Sequence, residues 1–243
     1  MPVKILTSKL FASILIVTTA LSCTNRKSEP KGGLFIIGGG ERSQELMRQL
    51  AEVSGVDKQG YVVVLPMSSE EPDSAVFYLK NDFNKLGIHE VYGFNINTDS
   101  VPQTWLDSLL NAKLIFVSGG DQNKFMKVAK NQLIFNTLHT AYQNGAIIAG
   151  TSAGAAIMSK KMITGNEIKY PEYTGNFRTI ESGNIEIGEG MGFLTHVIID
   201  QHFVVRMRMN RLISVVIENP DETAIGIDES TAIFIQKNKA TVF

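Results

Sequence analysis

The sequence predicts an α/β fold in which a mostly parallel, doubly wound sheet is the middle of three layers. After Gly33, short apolar runs rich in β-branched residues alternate with longer stretches whose apolar side chains recur at helical spacing. The short runs are almost continuously apolar, as expected for strands that are buried on both faces. Repeated strand–helix units of this kind are typical of a parallel sheet with helices on both sides.

The predicted elements follow one another as strand, turn and helix. Leu34–Ile37 is an apolar strand that ends in three glycines, and Ser43–Val53 places Leu46, Met47 and Leu50 on one helical stripe. The same pattern predicts strands at Tyr61–Leu65, Glu90–Phe94, Leu114–Ser118 and Ala146–Ala149, and helices at Ala75–Leu86, Trp105–Leu110 and Asn123–Asn144. Ligands of such sheets bind at the carboxyl ends of the strands, so functional residues are expected there.

Composition excludes several classes of function. The chain has 243 residues, with 23 Lys and Arg against 24 Asp and Glu, and a net charge of −1. No basic surface for nucleic acid is therefore expected. Cys23 is the single cysteine, which rules out an intramolecular disulfide and any multi-cysteine metal or iron–sulfur site. The length suits one core of roughly 200 residues, so we predict one α/β domain over residues 34–243.

The first 33 residues predict export. Lys4 and Lys9 precede an uncharged run over 10–22, which has the length of a signal-peptide core and is short for a bilayer span. Cys23 ends this run as in a bacterial lipoprotein cleavage box, although Leu21 stands one place nearer the cysteine than usual; plain secretion is the alternative. We expect a signal peptide over 1–22, a tether over 23–33, and attachment to the membrane at the periplasm or cell surface through a lipidated Cys23.

The strongest motif is Gly150-Thr-Ser-Ala-Gly154, which follows a predicted strand and precedes a helical run. It fits G-x-S-x-G, the pattern in which a serine is exposed on a tight strand-to-helix turn. Ser152 is therefore the candidate nucleophile, and the backbone N–H of Ala153 is a candidate donor to the oxyanion of a tetrahedral intermediate. A serine that only caps the next helix is the alternative.

Two further predicted strands end in polar residues. In the loop 119–122 (GGDQ), Gly120 is a candidate second oxyanion donor, and the amide of Gln122 could bind a substrate backbone. The strand at 197–203 ends in His202, the best of four histidines as the base that Ser152 needs. No metal site is predicted there, since no second histidine or carboxylate follows at ligand spacing.

The remaining candidates are charged. Arg206, Arg208 and Arg211 indicate an anionic or Asp-rich substrate, because guanidinium groups pair with carboxylates; a solvated helix face is the alternative. A serine–histidine pair also needs an acid that orients the imidazole. Between the candidate serine and histidine, position alone does not select among Glu167, Glu172, Glu181, Glu186 and Glu189.

Together these segments resemble the cyanophycinase family: GTSAGAAIM at 150–158, GGDQ at 119–122, IDQHF at 199–203, R-x-R-x-x-R at 206–211 and GIDEST at 226–231. The resemblance extends from Gly33 to the end of the chain. It implies a flavodoxin-like fold, similar to that of class I glutamine amidotransferases. It also implies a cofactor-independent serine exopeptidase that degrades cyanophycin, a poly-aspartate chain carrying arginine on each β-carboxyl, to β-Asp-Arg dipeptides.

The resemblance also implies roles for individual residues. Ser152 matches the nucleophile and His202 the general base. The third catalytic residue is implied to be a glutamate after the nucleophile helix, for which we expect Glu167 rather than Glu172. The positions implied to hold the charged substrate are Gln122, Asp200, Gln201, Arg206, Arg208 and Arg211.

Three other functions stay open at this point. An aspartyl or isoaspartyl dipeptidase shares the same motifs, whereas an esterase is disfavoured because GGDQ and the arginines would have no role in it. A surface lipoprotein that binds a peptide without turnover is the third. The sequence does not determine the oligomeric state, for which a dimer is plausible. The chain stops at 240–243 just after a predicted strand, so either its last hairpin is shortened or the sequence is truncated there.

Overall fold

A computed structural model describes residues 29–97, 100–172, 177 and 179–243. The predicted signal peptide and Cys23 lie outside these residues. The strands are β1 (Gly33–Ile37), β2 (Val62–Leu65), β3 (Val91–Gly93), β4 (Leu114–Val117), β5 (Ile147–Thr151), β6 (Lys161–Glu167), β7 (Ile185–Glu189), β8 (Val197–Gln201), β9 (Thr223–Ile227), β10 (Ala232–Gln236) and β11 (Lys239–Val242). The helices are α1 (Gln44–Ser54), α2 (Pro72–Asn84), α3 (Gln103–Asn111), α4 (Gln122–Ala129), α5 (Gln132–Asn144), α6 (Ala153–Ala156) and α7 (Met209–Glu218).

A seven-stranded sheet forms the centre of the molecule, in the order β11-β10-β1-β5-β4-β2-β3. The five strands from β1 to β3 in this order are parallel to one another, whereas β10 pairs antiparallel with β1 and β11 pairs antiparallel with β10 at one edge. The predicted fold class, a mostly parallel α/β sheet, is therefore confirmed.

The two faces of this sheet are buried under different helices. In β1, Leu34 and Ile36 belong to a core cluster that also contains side chains of α3, α4, α5 and α6. Phe35 and Ile37 point the other way, into a second cluster with α1 and α2. Because successive side chains of a strand alternate between the faces, a continuously apolar strand is what a sheet covered on both faces requires.

The prediction of one continuous helix over 123–144 is wrong, because this segment forms two helices, α4 and α5. The side-chain oxygen of Asn131 accepts a hydrogen bond from the backbone N–H of Leu133 at 2.9 Å, which begins a new helix at this point. Asparagine is among the preferred residues for this capping position. The apolar periodicity continues through the break, since side chains of both helices pack in the same cluster.

Four strands lie outside the central sheet. β6 and β7 form an antiparallel hairpin, and β8 pairs in parallel with β9. A third core cluster joins these two pairs to α7 through Ile163, Ile185, Ile198 and Leu212, among others. Within the described residues, no helix has the length and apolar character needed to cross a bilayer.

The carboxyl ends of three strands meet where β1 ends. Ser152 follows β5, and its backbone N–H donates to the carbonyl of Ile37 at 3.0 Å. His202 follows β8, and its backbone N–H donates to the carbonyl of Gly38 at 2.7 Å. The segment after β9 reaches the same place, since Gly38 N–H donates to Thr231 at 3.0 Å. The strand-end residues are thus brought to one rim of the fold.

Candidate active site

Ser152 stands on a sharp turn between β5 and α6. Its backbone has φ 54° and ψ −109°, in the left-handed region that non-glycine residues rarely adopt. The turn is tight enough that a Cβ built on Gly150 would lie 2.2 Å from the carbonyl oxygen of Gly154. The side chain of Ser152 makes no capping hydrogen bond to α6. The side chain of Ser152 therefore does not cap α6, contrary to the alternative interpretation of the motif.

His202 connects this serine to a carboxylate. Its Nε2 lies 2.8 Å from Ser152 Oγ, and its Nδ1 lies 2.5 Å from Oε1 of Glu229. Because a carboxylate only accepts hydrogen bonds, Nδ1 carries the proton of the neutral ring, and Nε2 accepts from the serine hydroxyl. This is the arrangement in which an imidazole can take the proton of an attacking hydroxyl.

Glu229, and not Glu167, is the carboxylate that the structure places beside His202. Glu167 ends β6, and its Oε1 accepts a hydrogen bond from Nδ2 of Asn184 at 2.6 Å within the β6–β7 region. The expectation for Glu167 is therefore wrong. Its physical reason is the strand pairing of residues 161–167, which directs this carboxylate to the opposing strand segment rather than to the rim.

Burial lowers the pKa of His202 below its ordinary value. The hydrogen-bonded carboxylate of Glu229 acts in the opposite direction and raises this pKa, whereas the cations of Arg206 and Arg208 lower it. The net direction is downward. His202 is consequently neutral around pH 7 and can accept a proton, as a general base must.

A cavity of about 340 Å³ opens beside the serine. Its volume suits a small ligand or the end of a peptide. Among the described residues, no three His, Cys, Asp or Glu side chains lie together as metal ligands would. The cavity is lined by Gly120, Asp121, Gln122, Asn123, Ser152, Thr164, Gly165, Asn166, Gln201, Arg206, Arg208 and Arg211.

Asp200 does not face this cavity. Its carboxylate is fully buried and pairs with Arg211, whose Nε donates to Oδ2 at 3.0 Å and whose Nη2 donates to Oδ1. Arg211 is 2% exposed and lies over the ring of Phe177, with 4.7 Å between its Cζ and the ring centroid. The expected substrate contact of Asp200 is thus replaced by an internal ion pair, because a charge buried this deeply requires a partner.

Three more of the predicted binding residues form the cavity wall through contacts inside the protein. Arg208 is buried, and its Nη1 donates to the backbone and side-chain oxygens of Gln201 at 2.6 and 2.7 Å. The amide nitrogen of Gln122 donates to the carbonyls of Ile163 and Thr164 at 3.0 and 2.6 Å. These bonds hold α4 to β6. Of the three arginines that were predicted to bind substrate, only Arg206 is exposed at the cavity.

The two candidate oxyanion donors flank Ser152. Ala153 is its chain neighbour at the start of α6, and Gly120 lines the same cavity. The loop that contains Gly120 packs closely on the serine, since a Cβ built on Gly119 would lie 3.4 Å from Ser152 Cβ. In the part of the chain that the structure describes, neither N–H donates a hydrogen bond. Both are therefore available to a negatively charged oxygen.

Sequence reasoning missed Glu229, although a usable signal was present. The glutamates considered as the acid all lie between Ser152 and His202 along the chain, whereas Glu229 follows His202. The segment Gly226-Ile-Asp-Glu229 follows an apolar run, as the loops that contain Ser152 and His202 do. Applying the same strand-end rule to this run would have included Glu229.

The chain is similar to known peptidases over most of its described length. The sequence model of peptidase family S51 matches residues 34–243. A cyanophycinase of Nostoc sp. is 30% identical over 214 residues, which cover 86% of this chain and 69% of that protein. A cyanophycinase of Synechococcus elongatus is 29% identical over 219 residues, 88% of this chain; the chain spans 65% of the length of this relative.

A solved structure supports the fold. The crystal structure of a peptidase from an acI-B1 Actinobacterium superposes with a TM-score of 0.64 at 21% identity, and the match covers 88% of both chains. The family match and the similarity to cyanophycinases confirm the resemblance noted in the sequence. The chain belongs to peptidase family S51.

Proposed function

We propose that the protein is a serine exopeptidase that cleaves cyanophycin to β-Asp-Arg dipeptides. The observation that carries this proposal is the hydrogen-bonded chain from Ser152 through His202 to Glu229, which opens on a cavity containing both a cation and a carboxylate. Membership of peptidase family S51 and the similarity to cyanophycinases support the same activity.

The proposed reaction proceeds through an acyl-enzyme. His202 Nε2 takes the hydroxyl proton of Ser152 as Oγ attacks the carbonyl carbon of the scissile amide. The N–H groups of Ala153 and Gly120 bind the oxyanion, and Glu229 stabilises the imidazolium. His202 then gives the proton to the leaving amine. A water molecule, deprotonated by His202, releases the acyl product and restores the serine.

The charges at the cavity fit a substrate that carries both signs. Arg206 is the exposed guanidinium at the cavity, and we propose that it binds a substrate carboxylate. Among the described lining residues, Asp121 is the one carboxylate. Since Asp200 is engaged by Arg211, we propose that Asp121 receives the guanidinium of the substrate instead.

The experiment that tests this function is incubation of the purified protein with cyanophycin, followed by mass spectrometry of the products. Release of β-Asp-Arg by the wild type, and none by Ser152→Ala, is the expected result. Isoaspartyl dipeptides serve as a second substrate. Their cleavage without any action on cyanophycin would replace the proposal by a dipeptidase of the same family.

A protein that binds peptides without turnover is tested separately. A serine-directed phosphonate should phosphonylate Oγ of Ser152 with loss of its leaving group, because Oγ is hydrogen-bonded to a neutral imidazole. The Ser152→Ala variant should remain unlabelled. A wild-type protein that neither takes up the reagent nor releases a product would be a binding protein.

We also propose that the mature protein is exported and attached to the cell envelope through Cys23. This proposal rests on the sequence of residues 1–23 alone. The mass of the native N-terminal peptide tests it: cleavage before Cys23 with a lipid on the thiol is expected. A free thiol on a chain that keeps residues 1–22 would contradict it.

A further inference from the structure

The loop of three glycines at 38–40, which follows β1 and which we call the glycine platform, lies against His202 and Glu229, and Ile37 just before it bonds to Ser152. No role in catalysis follows from its sequence alone. Three successive carbonyl groups, of Ile37, Gly38 and Gly39, accept backbone hydrogen bonds from the segments that contain the proposed catalytic residues. The pairs are Ser152 N with Ile37 O at 3.0 Å, His202 N with Gly38 O at 2.7 Å, and Ser230 N with Gly39 O at 2.9 Å.

Gly39 is the member of the platform that contacts the base. Its φ is +119°, and a Cβ built on it would lie 2.3, 2.5 and 2.8 Å from Cε1, Nε2 and Nδ1 of His202. Cβ atoms do not approach other heavy atoms below about 3.0 Å. The imidazole therefore occupies the space that any side chain at position 39 would need.

Gly40 has the same relation to the acid. A Cβ built on it would lie 2.7 Å from Cβ and 2.9 Å from Oε2 of Glu229. Two successive glycines of the platform thus lie in contact with two successive members of the hydrogen-bonded chain. The contact reaches the functional atoms themselves, and not only the backbone of the catalytic residues.

We propose that Gly39 is a positioning residue, which holds the imidazole of His202 in line between Ser152 Oγ and Glu229 by having no side chain. As a statement about catalysis, this rests on the proposed peptidase function. The physical reason is that proton transfer requires hydrogen-bond distances on both sides of the ring. The ring has 2.8 Å on one side and 2.5 Å on the other, and a Cβ at position 39 would displace it from one or both partners.

The kinetic test compares Gly39→Ala with Gly145→Ala. Gly145 has φ +122°, nearly the same as Gly39, but a Cβ there would meet only Lys31 at 3.8 Å. Both variants carry the cost of a side chain in this backbone region, and only one collides with the imidazole. We expect Gly39→Ala to lower kcat about 100-fold with little change in KM, as for a misplacement of about 1 Å. Gly145→Ala should keep the wild-type kcat.

The pH profile separates positioning from a general defect. Loss of folded protein lowers the measured rate equally at every pH. A displaced imidazole changes its burial and its bond to Glu229, which set its pKa, so the acid limb of kcat/KM should shift for Gly39→Ala and stay in place for Gly145→Ala. A Gly39→Ala enzyme with wild-type kcat and an unmoved profile would overturn the proposal.

A stability measurement tests the same contact without any assay of activity. We expect Gly39→Ala to lower the Tm more in the wild-type background than in His202→Ala, since the second background has no ring for the new Cβ to meet. Gly145→Ala should lower the Tm equally in both. Equal decreases for Gly39→Ala in both backgrounds would refute the contact, even if the substrate of the enzyme proved to be a different one.

Discussion

Replacing Glu229 by glutamine removes one charge from the hydrogen-bonded chain of Ser152, His202 and Glu229 while keeping the shape of the side chain. The carboxylate accepts from Nδ1 of His202 at 2.5 Å, so the charge centres of an imidazolium–carboxylate pair would be about 4 Å apart. With an effective dielectric constant of about 20, such a pair is stabilised by about 4 kcal/mol. Since about 1.4 kcal/mol corresponds to a factor of ten in rate, Glu229→Gln should lower kcat about 1000-fold.

The assay is the release of β-Asp-Arg under saturating cyanophycin, with Ser152→Ala as the baseline and Glu167→Gln as the matched control. Glu167→Gln also removes one negative charge, but its carboxylate contacts Asn184 and not His202, so its kcat should stay within about twofold of the wild type. The reasoning fails if Glu229→Gln keeps its rate within tenfold of the wild type. It also fails if the Glu167→Gln variant loses as much activity as the Glu229→Gln variant.

Three further predictions concern the charged groups around the cavity. Arg206→Gln removes a cation that lowers the pKa of His202, so this pKa should rise and the acid limb of the kcat/KM profile should move to higher pH. An unmoved acid limb would show that Arg206 does not affect the pKa of His202. Arg211→Met leaves the carboxylate of Asp200 buried and without its main partner, and urea unfolding should show a loss of about 3–5 kcal/mol in the free energy of unfolding; a loss below about 1 kcal/mol would mean that water reaches the site. Asp121→Asn keeps an oxygen that can cap α4, but it should raise the KM for peptides with β-linked Asp-Arg units about tenfold. The KM should not change for the same peptide with uncharged citrulline in place of arginine. Equal effects on both peptides would show that Asp121 does not bind the substrate guanidinium.

The sheet and the position of two side chains of the candidate site could be predicted because both leave local signals. Each parallel strand is a short apolar run, since it is buried on both faces, and this holds for β1, β2, β4 and β5. Ser152 and His202 stand directly after such runs. Ser152 follows β5 of the central sheet, where the strand-end rule applies directly. β8 lies outside that sheet, and His202 reaches the same rim because its backbone N–H donates to the carbonyl of Gly38 after β1, although 50 positions separate the two residues along the chain.

The partners of the buried charges could not be predicted in this way. Asp200 and Arg211 were both expected to face the substrate, and each is occupied by the other. Which charges pair depends on how α7 packs against β8, and no pattern within either segment encodes this packing. The hairpin of β6 and β7 is a similar case, because its register determines that Glu167 meets Asn184.

The break between α4 and α5 is a further feature that the sequence pattern did not predict. Side chains of both helices pack on the same face of the sheet, so the apolar spacing carries no mark of the interruption. Only the capping bond of Asn131 records it. A residue that begins a helix is recognisable from sequence when the periodicity also changes there, and here it does not.

The order of the three proposed catalytic residues along the chain has a consequence for the protein during its synthesis. His202 follows Ser152 by 50 positions, and Glu229 follows His202 by 27. A ribosome adds about 5–20 residues per second, so it needs about 4–15 s after the serine to reach the glutamate. Over this interval the nascent chain holds Ser152 without the imidazole and the carboxylate that we propose activate it. On the proposed mechanism, the serine becomes an effective nucleophile only after β9 has formed and brought Glu229 to His202.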